Sequence, residues 1–307
     1  MALVSSTYAG KVAYPYMSCS LLELNSLSNN SITVRQNEKG TMVLRKGALD
    51  AGVGAATCDW TDTASLSLLD RKVVLENLQI STTICKEDFF NDWEAAQMGE
   101  SAWRDTPEDL ASWLTIHVLA RGMQDLENMI WKGDGLTGSF LGFEPQITAA
   151  YVENDTANND VPIDAGTGET VDATTVIDLF SAMIDAAPDS LKSQADFGIT
   201  ASFSVYEAYK AAIGAFDSVT PLWNANQALT FNGYPVRRAN GMTSGAAIAT
   251  TTSNLVFGTA LLSDTTRIEV KSMDVIMEEN VRFKAKFDAA VGVGCFGDIV
   301  TLNIATS

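Results

Sequence analysis

The sequence has a single histidine, His117, and so lacks the residue on which many catalytic and metal sites depend. A Ser-His or Cys-His pair would have to use this one side chain, because a nucleophile needs a base within hydrogen-bonding reach. No GxSxG or GxxxxGK[ST] string is present to indicate hydrolase or nucleotide chemistry. Carboxylates are plentiful, but nothing selects a glycosidase-type pair among them. We therefore expect a protein that is not an enzyme, and keep an enzyme as an alternative.

Cysteine is also scarce, and its spacing excludes the usual metal motifs. Cys19, Cys58, Cys85 and Cys295 are far apart and form no CxxC pair. His117 cannot complete a zinc quartet with a cysteine close in sequence. Reduced thiols are the simplest interpretation, and we expect neither a metal nor another cofactor.

Long apolar runs are missing as well. No stretch approaches the roughly 18 uninterrupted apolar residues of a membrane span, and the first residues do not have the charge pattern of a signal peptide. The sequence thus predicts synthesis and folding in a cytoplasm and no association with membranes. The 307 residues, 46% of them hydrophobic, can form one large domain or two smaller ones around a sizeable core.

Basic residues are absent between Lys132 and Lys192, and the chain carries a formal charge of −18. Such a surface repels phosphate, so tight nucleic-acid binding by this region is not expected, although an acidic wall can enclose DNA without gripping it. The segment ENDTANNDVPIDAGTGE supplies oxygen ligands but lacks the calcium-loop pattern, so we interpret it as a solvated loop. The carboxylates of the region are Asp134, Glu144, Glu153, Asp155, Asp160, Asp164, Glu169, Asp172, Asp178, Asp185 and Asp189.

The first part of the chain predicts extended structures with little core of their own. Residues 1–29 read as an arm ordered mainly by contact with other subunits. The segment SITVRQNEKGTMVLRK predicts a β-hairpin, with Gly40 at a position that requires positive φ. Apolar and polar residues also alternate in RKVVLENLQISTTI, which follows. Residues 30–83 are therefore predicted to form a long two-stranded β-ribbon that extends from the rest of the chain. Isolated ribbons are marginal in water, so this one should lie on another surface.

The clearest helix is predicted at 107–131. Thr106 is a suitable N-cap, a proline follows at the first helical position, and Gly133 offers the stop. At 1.5 Å per residue the helix is about 38 Å long. His117 lies within it and is expected to pack rather than catalyse. The predicted apolar stripe consists of Ile116, Leu119, Met123, Leu126 and Ile130.

From about residue 166 the pattern predicts a mixed α/β unit, and the chain then returns to strands. This unit consists of a helix carrying Val176 to Ala187, a strand at 197–200, a helix at 205–213 and the segment LTFNGYPVRRANGM, a strand interrupted by Gly233 and Pro235. In the closing strand, Arg282, Lys284 and Lys286 alternate with apolar residues. This basic face is either solvated or a subunit contact with acidic neighbours.

Several local patterns then fall in the order found in the tailed-phage major capsid protein family, with its HK97-type fold. They are CDWTDTASLSLLDRKVVLENLQISTTICKEDFFNDWEAAQMG, LENMIWKGDGLTGSFLGF, LTFNGYPVRRANGM and VRFKAKFDAAVGVGCFGDIVTLNI, together covering roughly residues 55–305. The resemblance implies an α+β chain with an N-terminal arm at 1–29 and an extended β-hairpin E-loop at 30–83. It also implies a peripheral domain at 84–165 and 263–307, which contains a long spine helix at about 107–131. By the same resemblance, an axial α/β domain is inserted at 166–262.

The resemblance further implies a structural protein that self-assembles into hexamers and pentamers of an icosahedral head around double-stranded DNA. Implied partners besides other copies are a portal, a scaffold or maturation protease, and decoration proteins; the implied location is the virion, after assembly in the host cytoplasm. An encapsulin-like compartment shell is the alternative. Some relatives crosslink an E-loop lysine, but Lys39 and Lys46 are more simply solvated. The candidate subunit-contact residues are Asn37, Glu38, Lys39, Gly40, Trp60, Arg282, Lys284 and Lys286.

Overall fold

The fold is described by a computed structural model for residues 25–38, 40–49, 53, 58, 66–85, 108–156, 160–216, 229–260, 268–273, 278 and 280–304. The helices are α1 (Asn25–Ser28), α2 (Glu108–Lys132), α3 (Phe143–Glu153), α4 (Val176–Ala186), α5 (Asp189–Lys192) and α6 (Phe203–Phe216). The strands are β1 (Thr33–Arg35), β2 (Thr41–Leu49), β3 (Leu66–Val74), β4 (Glu76–Cys85), β5 (Ile163–Asp164), β6 (Phe197–Ser202), β7 (Thr230–Phe231), β8 (Tyr234–Ala239), β9 (Ala247–Thr251), β10 (Leu255–Thr259), β11 (Ile268–Ser272), β12 (Asn280–Val293) and β13 (Val300–Leu302).

A five-stranded sheet is built around the 14-residue strand β12. All 10 residues of β4 pair antiparallel with its first part, β11 pairs with it as well, and β10 pairs with its last residues. The predicted alternation is confirmed: Val281, Phe283 and Ala285 are buried, while the basic residues between them are exposed. One face of this sheet therefore enters a core and the other is polar.

The strands β2 and β3 form a separate two-stranded ribbon over Thr41–Leu49 and Leu66–Val74. The prediction of a hairpin between residues 32–34 and 42–44 is wrong. The first of these segments contains β1, which pairs in parallel with β10 instead. Asn37 (φ 66°) and Gly40 (φ 69°) both adopt left-handed backbone conformations and turn the chain away from a local hairpin. The turn chemistry was recognised correctly, but the partner strand lies far away in sequence.

A six-stranded sheet runs in the order β5-β13-β9-β6-β8-β7. The strand predicted at 197–200 and the helix predicted at 205–213 are confirmed as β6 and α6. A two-residue turn with positive φ at Asn232 and Gly233 joins β7 to β8, as expected for an Asn-Gly hairpin. The helices α4 and α6 cover this sheet, and Phe180, Met183 and Ile199 lie at the centre of its core.

The chain passes between the two sheets more than once. β10 pairs with β12 in the five-stranded sheet, whereas β5 and β13 extend the six-stranded sheet. The passage from β9 to β10 occurs at the short 3-10 helix Thr252–Asn254. Because β9 and β10 are both fully buried, their composition does not reveal which sheet each joins.

The long helix predicted at 107–131 is confirmed as α2, with 25 residues. Ile130 and Trp131 at its end are fully buried in the core beside the five-stranded sheet. Two details differ from the predicted apolar stripe. Met123 is 49% exposed, whereas Glu127 is only 1% exposed. The helix ends at Lys132, directly before the predicted stop Gly133. The predicted N-cap Thr106 and the side chains of Ile116 and His117 lie outside the described part of the structure.

Candidate assembly surfaces and the contacts that position them

The base of the ribbon packs on the five-stranded sheet through a small apolar cluster. Met42 and Leu44 are buried there against β10 and β12. Two glycines make the close approach possible: a Cβ at Gly292 would lie 2.8 Å from both Leu44 Cδ1 and Val73 Cγ2, and one at Gly258 would lie 2.9 Å from Met42 Sδ. The inner face of the ribbon is therefore fitted to a surface that lacks side chains at these two points.

A charged clamp centred on Asp160 adds to this contact. The Asp160 carboxylate forms ion pairs with Arg71 of β3 and with Lys46 of β2, the latter at 3.5 Å. It also accepts a hydrogen bond of 3.1 Å from the backbone N–H of Phe296. Arg71 donates to the carbonyl of Val293 at 2.7 Å, and its guanidinium lies 4.3 Å from the centroid of the Phe296 ring. Both strands of the ribbon are thus tied to the body of the chain.

The outer face of the ribbon presents apolar side chains to solvent. Leu66 is 63% exposed, Leu68 71% and Val74 61%. They alternate along β3 with residues that face the body, so they share one side of the ribbon. The charged Asp70 and Lys72 lie on the same side between Leu68 and Val74, so the exposed apolar surface is concentrated at Leu66 and Leu68. Exposed apolar side chains that are grouped in this way mark an interaction site or an aggregation hazard. On a single copy nothing in the described part of the chain covers these side chains.

The segment entering the fold at α1 is fixed by a buried carboxylate on α2. Glu127 accepts hydrogen bonds from Ser26 Oγ at 2.6 Å and from the Ser26 N–H at 3.3 Å. The backbone N–H groups of Asn240 and Gly241 donate to the same carboxylate, and Trp131 Nε1 donates to Ser26 Oγ at 2.7 Å. Burial raises the pKa of Glu127, and the bonds from Ser26, Gly241 and Asn240 oppose that rise. Residues 25–28, predicted as part of an arm held by other subunits, are therefore anchored within their own chain.

The basic residues of β12 lie on the polar face of the five-stranded sheet. Arg282, Lys284 and Lys286 are all exposed, as predicted from their alternation with residues such as Phe283. Arg282 forms an ion pair of 2.8 Å with Glu278. Their neighbours on β4 in the register are the uncharged Thr83, Ser81 and Gln79. The structure therefore gathers these predicted contact residues on one surface.

The segment before the ribbon holds the other candidate contact residues. The backbone N–H groups of Asn37 and Glu38 donate to the carbonyls of Ala260 and Thr259, at 2.6 and 3.3 Å. The carbonyl of Gly40 accepts from the N–H of Leu75 at 2.9 Å. This turn is held at the base of the ribbon, next to the end of β10. Lys39 and Trp60 lie outside the described residues.

The acidic loop that follows α3 is used for internal contacts. Asp160 belongs to the clamp, and Asp164 accepts hydrogen bonds from the N–H of Gly166 at 3.0 Å and from Thr167 Oγ1 at 2.8 Å. Within the described ranges, no group of three or more His, Cys, Asp or Glu side chains is placed to hold a metal ion. Among the same residues, no helix is long and apolar enough to cross a membrane.

A cleft of about 380 Å³ opens between the ribbon, α3 and β12. Its charged lining residues are Arg71, Lys72, Glu76 and Glu153, and its other polar groups include Gln146 and Ser139. Neither histidine nor cysteine lines it, so Ser139 has no imidazole base beside it there. The cleft is better described as the gap left where the ribbon rises from the sheet.

Sequence reasoning missed the two carboxylates that organise these contacts, the partly buried Asp160 and the buried Glu127. Nothing local distinguishes Asp160 from the other carboxylates of its loop, because its partner Arg71 comes 89 positions earlier. For Glu127 the sequence did contain a signal of burial. It lies four residues after Met123 and three before Ile130, which places an acid on the predicted apolar stripe of α2.

Comparisons with known proteins were informative only at the level of structure. No protein-family model matches the sequence, and no curated protein matches it. The chain is similar to one in the capsid of a native GTA particle, with a TM-score of 0.65, 18% identity and 95% of each chain covered. It is similar to the capsid of cyanophage A-1(L), with a TM-score of 0.63, 11% identity and 96% of each chain covered. For Mycobacterium phage Che8 the TM-score is 0.55 at 10% identity, covering 100% of this chain and 99% of the other.

These likenesses extend over almost the whole chain, and at such low identities they establish a shared fold. The α+β, HK97-like capsid fold that the sequence predicts is thereby confirmed.

Proposed function

We propose that this chain is a major capsid protein of a tailed, double-stranded-DNA phage, a structural subunit with no catalytic role. The observation that carries the proposal is the end-to-end likeness to capsid chains of a GTA particle, a cyanophage and a mycobacteriophage. Because 95% or more of this chain is covered in each of these comparisons, the likeness is not confined to a common small motif.

The unpartnered surfaces of a single copy support this proposal. The outer face of the ribbon exposes Leu66 and Leu68, which a neighbouring subunit would cover. The candidate contacts Asn37, Glu38, Lys39 and Gly40 precede the ribbon, and Trp60 lies between its strands in sequence. Obligate interfaces bury thousands of Å² and are rich in such apolar groups.

In this proposal the regions take the roles that the sequence resemblance implies. The ribbon is the E-loop, α2 is the spine helix of a peripheral domain built on the five-stranded sheet, and the six-stranded sheet forms the axial domain. Residues 1–29 act as the arm, with its last residues fixed on Glu127. The axial domain includes the short strands Ile163–Asp164 and Val300–Leu302 and excludes Leu255–Thr259.

The proposed partners follow from the proposed function as a shell subunit. Copies of the chain form hexamers and pentamers in the host cytoplasm and remain in the virion, with a portal, a scaffold or maturation protease and decoration proteins as further partners. Double-stranded DNA would be enclosed with little specific contact, in keeping with the charge of −18. The encapsulin-like alternative is not favoured, because the similar structures described above come from phage and GTA particles.

Electron microscopy of the full chain, expressed alone and with its candidate scaffold, tests the proposal. Closed icosahedral particles, tubes or capsomer rings are the expected result. The nucleic-acid content and diameter of the particles then distinguish a phage head from a protein compartment. A uniform monomer under both conditions would overturn the proposal and reopen the enzyme alternative.

A further inference from the structure

Within the described part of the chain, two rows of charged residues are incompletely paired. The first, called here the basic row, consists of Arg282, Lys284 and Lys286 on β12. Arg282 is paired with Glu278, but Lys284 and Lys286 form no ion pair with any residue that the structure describes. On one side the row stands opposite uncharged residues of β4, as described above.

On the other side of the basic row, the charges of β11 cancel. Glu269 and Lys271 form an ion pair of 3.3 Å with each other, and in the register they stand opposite Lys284 and Arg282. The strand therefore adds no net charge to this part of the sheet. On this exposed polar face the nearest acid on β12 is Asp288, two positions after Lys286, and it accepts a hydrogen bond from Asn77 and forms no ion pair with either lysine within the described residues.

The second row, called here the acidic stripe, consists of Asp178, Ala182 and Asp185 on α4. These residues are four and three positions apart and are exposed, while Phe180 and Met183 on the opposite side are fully buried. Across the described residues, neither Asp178 nor Asp185 forms an ion pair. The small side chain of Ala182 between the two carboxylates leaves the stripe open to a flat partner.

The two rows are opposite in charge and similar in length. Residues 282 to 286 span about 13 Å of an extended strand, and residues 178 to 185 span about 10 Å of helix. Lysine side chains are long and flexible enough to absorb that difference. The rows belong to different sheets of the chain, since α4 packs on the six-stranded sheet and β12 forms the five-stranded one. They do not meet within one copy.

We propose that the basic row of one copy docks on the acidic stripe of a second copy. This inference rests on the proposed shell function and names one of its contacts. Because the two surfaces are different patches of the chain, the contact is head-to-tail, and such contacts generate closed rings when the rotation between copies allows it. Charge complementarity of this kind fixes the register of neighbours and accelerates their encounter.

A charge-swap experiment on the full chain tests this pairing. The variant Lys284→Glu/Lys286→Glu and the variant Asp178→Lys/Asp185→Lys each place like charges in contact, so each should reduce particle yield by roughly tenfold or more. Combining all four substitutions should restore most of the yield. Lys210→Glu, on the exposed side of α6, is the matched control and should assemble like the wild type. Melting temperatures of the unassembled variants should stay close to that of the wild-type chain.

Three outcomes would overturn the inference. If the lysine variant assembles normally but its particles contain less nucleic acid, the basic row contacts the packaged polymer instead of a second copy. If both pairs reduce the yield and the combined variant shows no recovery, the two rows do not contact each other. If both pairs assemble normally with unchanged contents, neither row is a contact. In each case wild-type particles still form, so the proposed function stands; a wild-type chain that forms no particles would overturn both.

Discussion

Arg71 of the ribbon forms an ion pair with Asp160 of the loop after α3, although 89 positions separate the two residues. Both side chains are largely withdrawn from solvent, with 30% and 17% of their surface exposed. The pair therefore differs from the ion pair between Arg45 and Asp70, which lies on the ribbon itself and is 79% and 47% exposed. The pair of Arg71 and Asp160 joins the ribbon to the body of the chain, whereas the pair of Arg45 and Asp70 links only the two strands of the ribbon.

Replacing Asp160 by alanine should destabilise the unassembled subunit by about 1–3 kcal/mol, because it leaves Arg71 and Lys46 half-buried without their carboxylate. Arg45→Ala is the control and should cost less than about 1 kcal/mol, as exposed pairs do. Denaturant unfolding of both variants measures the difference. Limited proteolysis should also cut the ribbon faster in Asp160→Ala. Equal effects of the two substitutions would contradict the clamp.

Gly292→Ala should weaken the docking of the ribbon on the five-stranded sheet. The added methyl group would lie 2.8 Å from Leu44 and Val73, and overpacking of this kind costs about 1–3 kcal/mol. Gly47→Ala is the matched control, since its Cβ would meet only Leu68 at an ordinary 3.5 Å. Thermal melting compares the two. A Gly292→Ala protein as stable as Gly47→Ala would show that the ribbon does not pack as described.

The buried carboxylate of Glu127 predicts a specific pH dependence. Burial raises its pKa in the folded chain, so the stability linked to this group is greatest at low pH and is lost as the pH rises through the folded pKa. Glu127→Gln cannot titrate. The advantage of the wild type over this variant should therefore shrink between acidic and neutral pH, by about 1.4 kcal/mol for each unit by which the pKa is raised.

Unfolding free energies of the wild type and Glu127→Gln across that range check this prediction. Glu144, whose pKa burial also raises, titrates in both proteins and cancels in the difference. If the difference in unfolding free energy between the two proteins stays constant with pH, the pKa of Glu127 is not raised by folding. If the advantage of the wild type grows with pH, the hydrogen bonds from Ser26 outweigh the effect of burial on that pKa.

Leu66→Ser/Leu68→Ser should fold normally and assemble poorly. Both leucines are exposed on the single chain, so little stability is lost, but each would forgo about 1.5–3 kcal/mol of burial in a shell. Val152→Ser, at an equally exposed site on α3, is the control. Particle yield by sedimentation is the readout. Normal yields for the leucine variant would argue against the ribbon as a contact surface.

The features predicted correctly from the sequence are those with a local cause. The α2 helix follows from its repeat of apolar residues, and the alternation around Phe283 marks β12 as a strand with one buried face. The hairpin before the ribbon was predicted wrongly because Thr33 pairs with Val256, a partner that no local pattern reveals. The same limit applies to the candidate site. The exposed lysines of β12 were found by alternation, whereas the contact between Arg71 and Asp160 depends on the folded chain.

The junction between the ribbon and the central sheet consists of one residue, Leu75, between the end of β3 and the start of β4. A load that pulls the ribbon along its own axis therefore passes directly into β4. Because all 10 residues of β4 are paired antiparallel with β12, such a load acts along the paired strands and must shear their hydrogen bonds together instead of opening them one at a time. A neighbour that holds the ribbon would thus transfer its pull to all 10 paired residues of β4 at once.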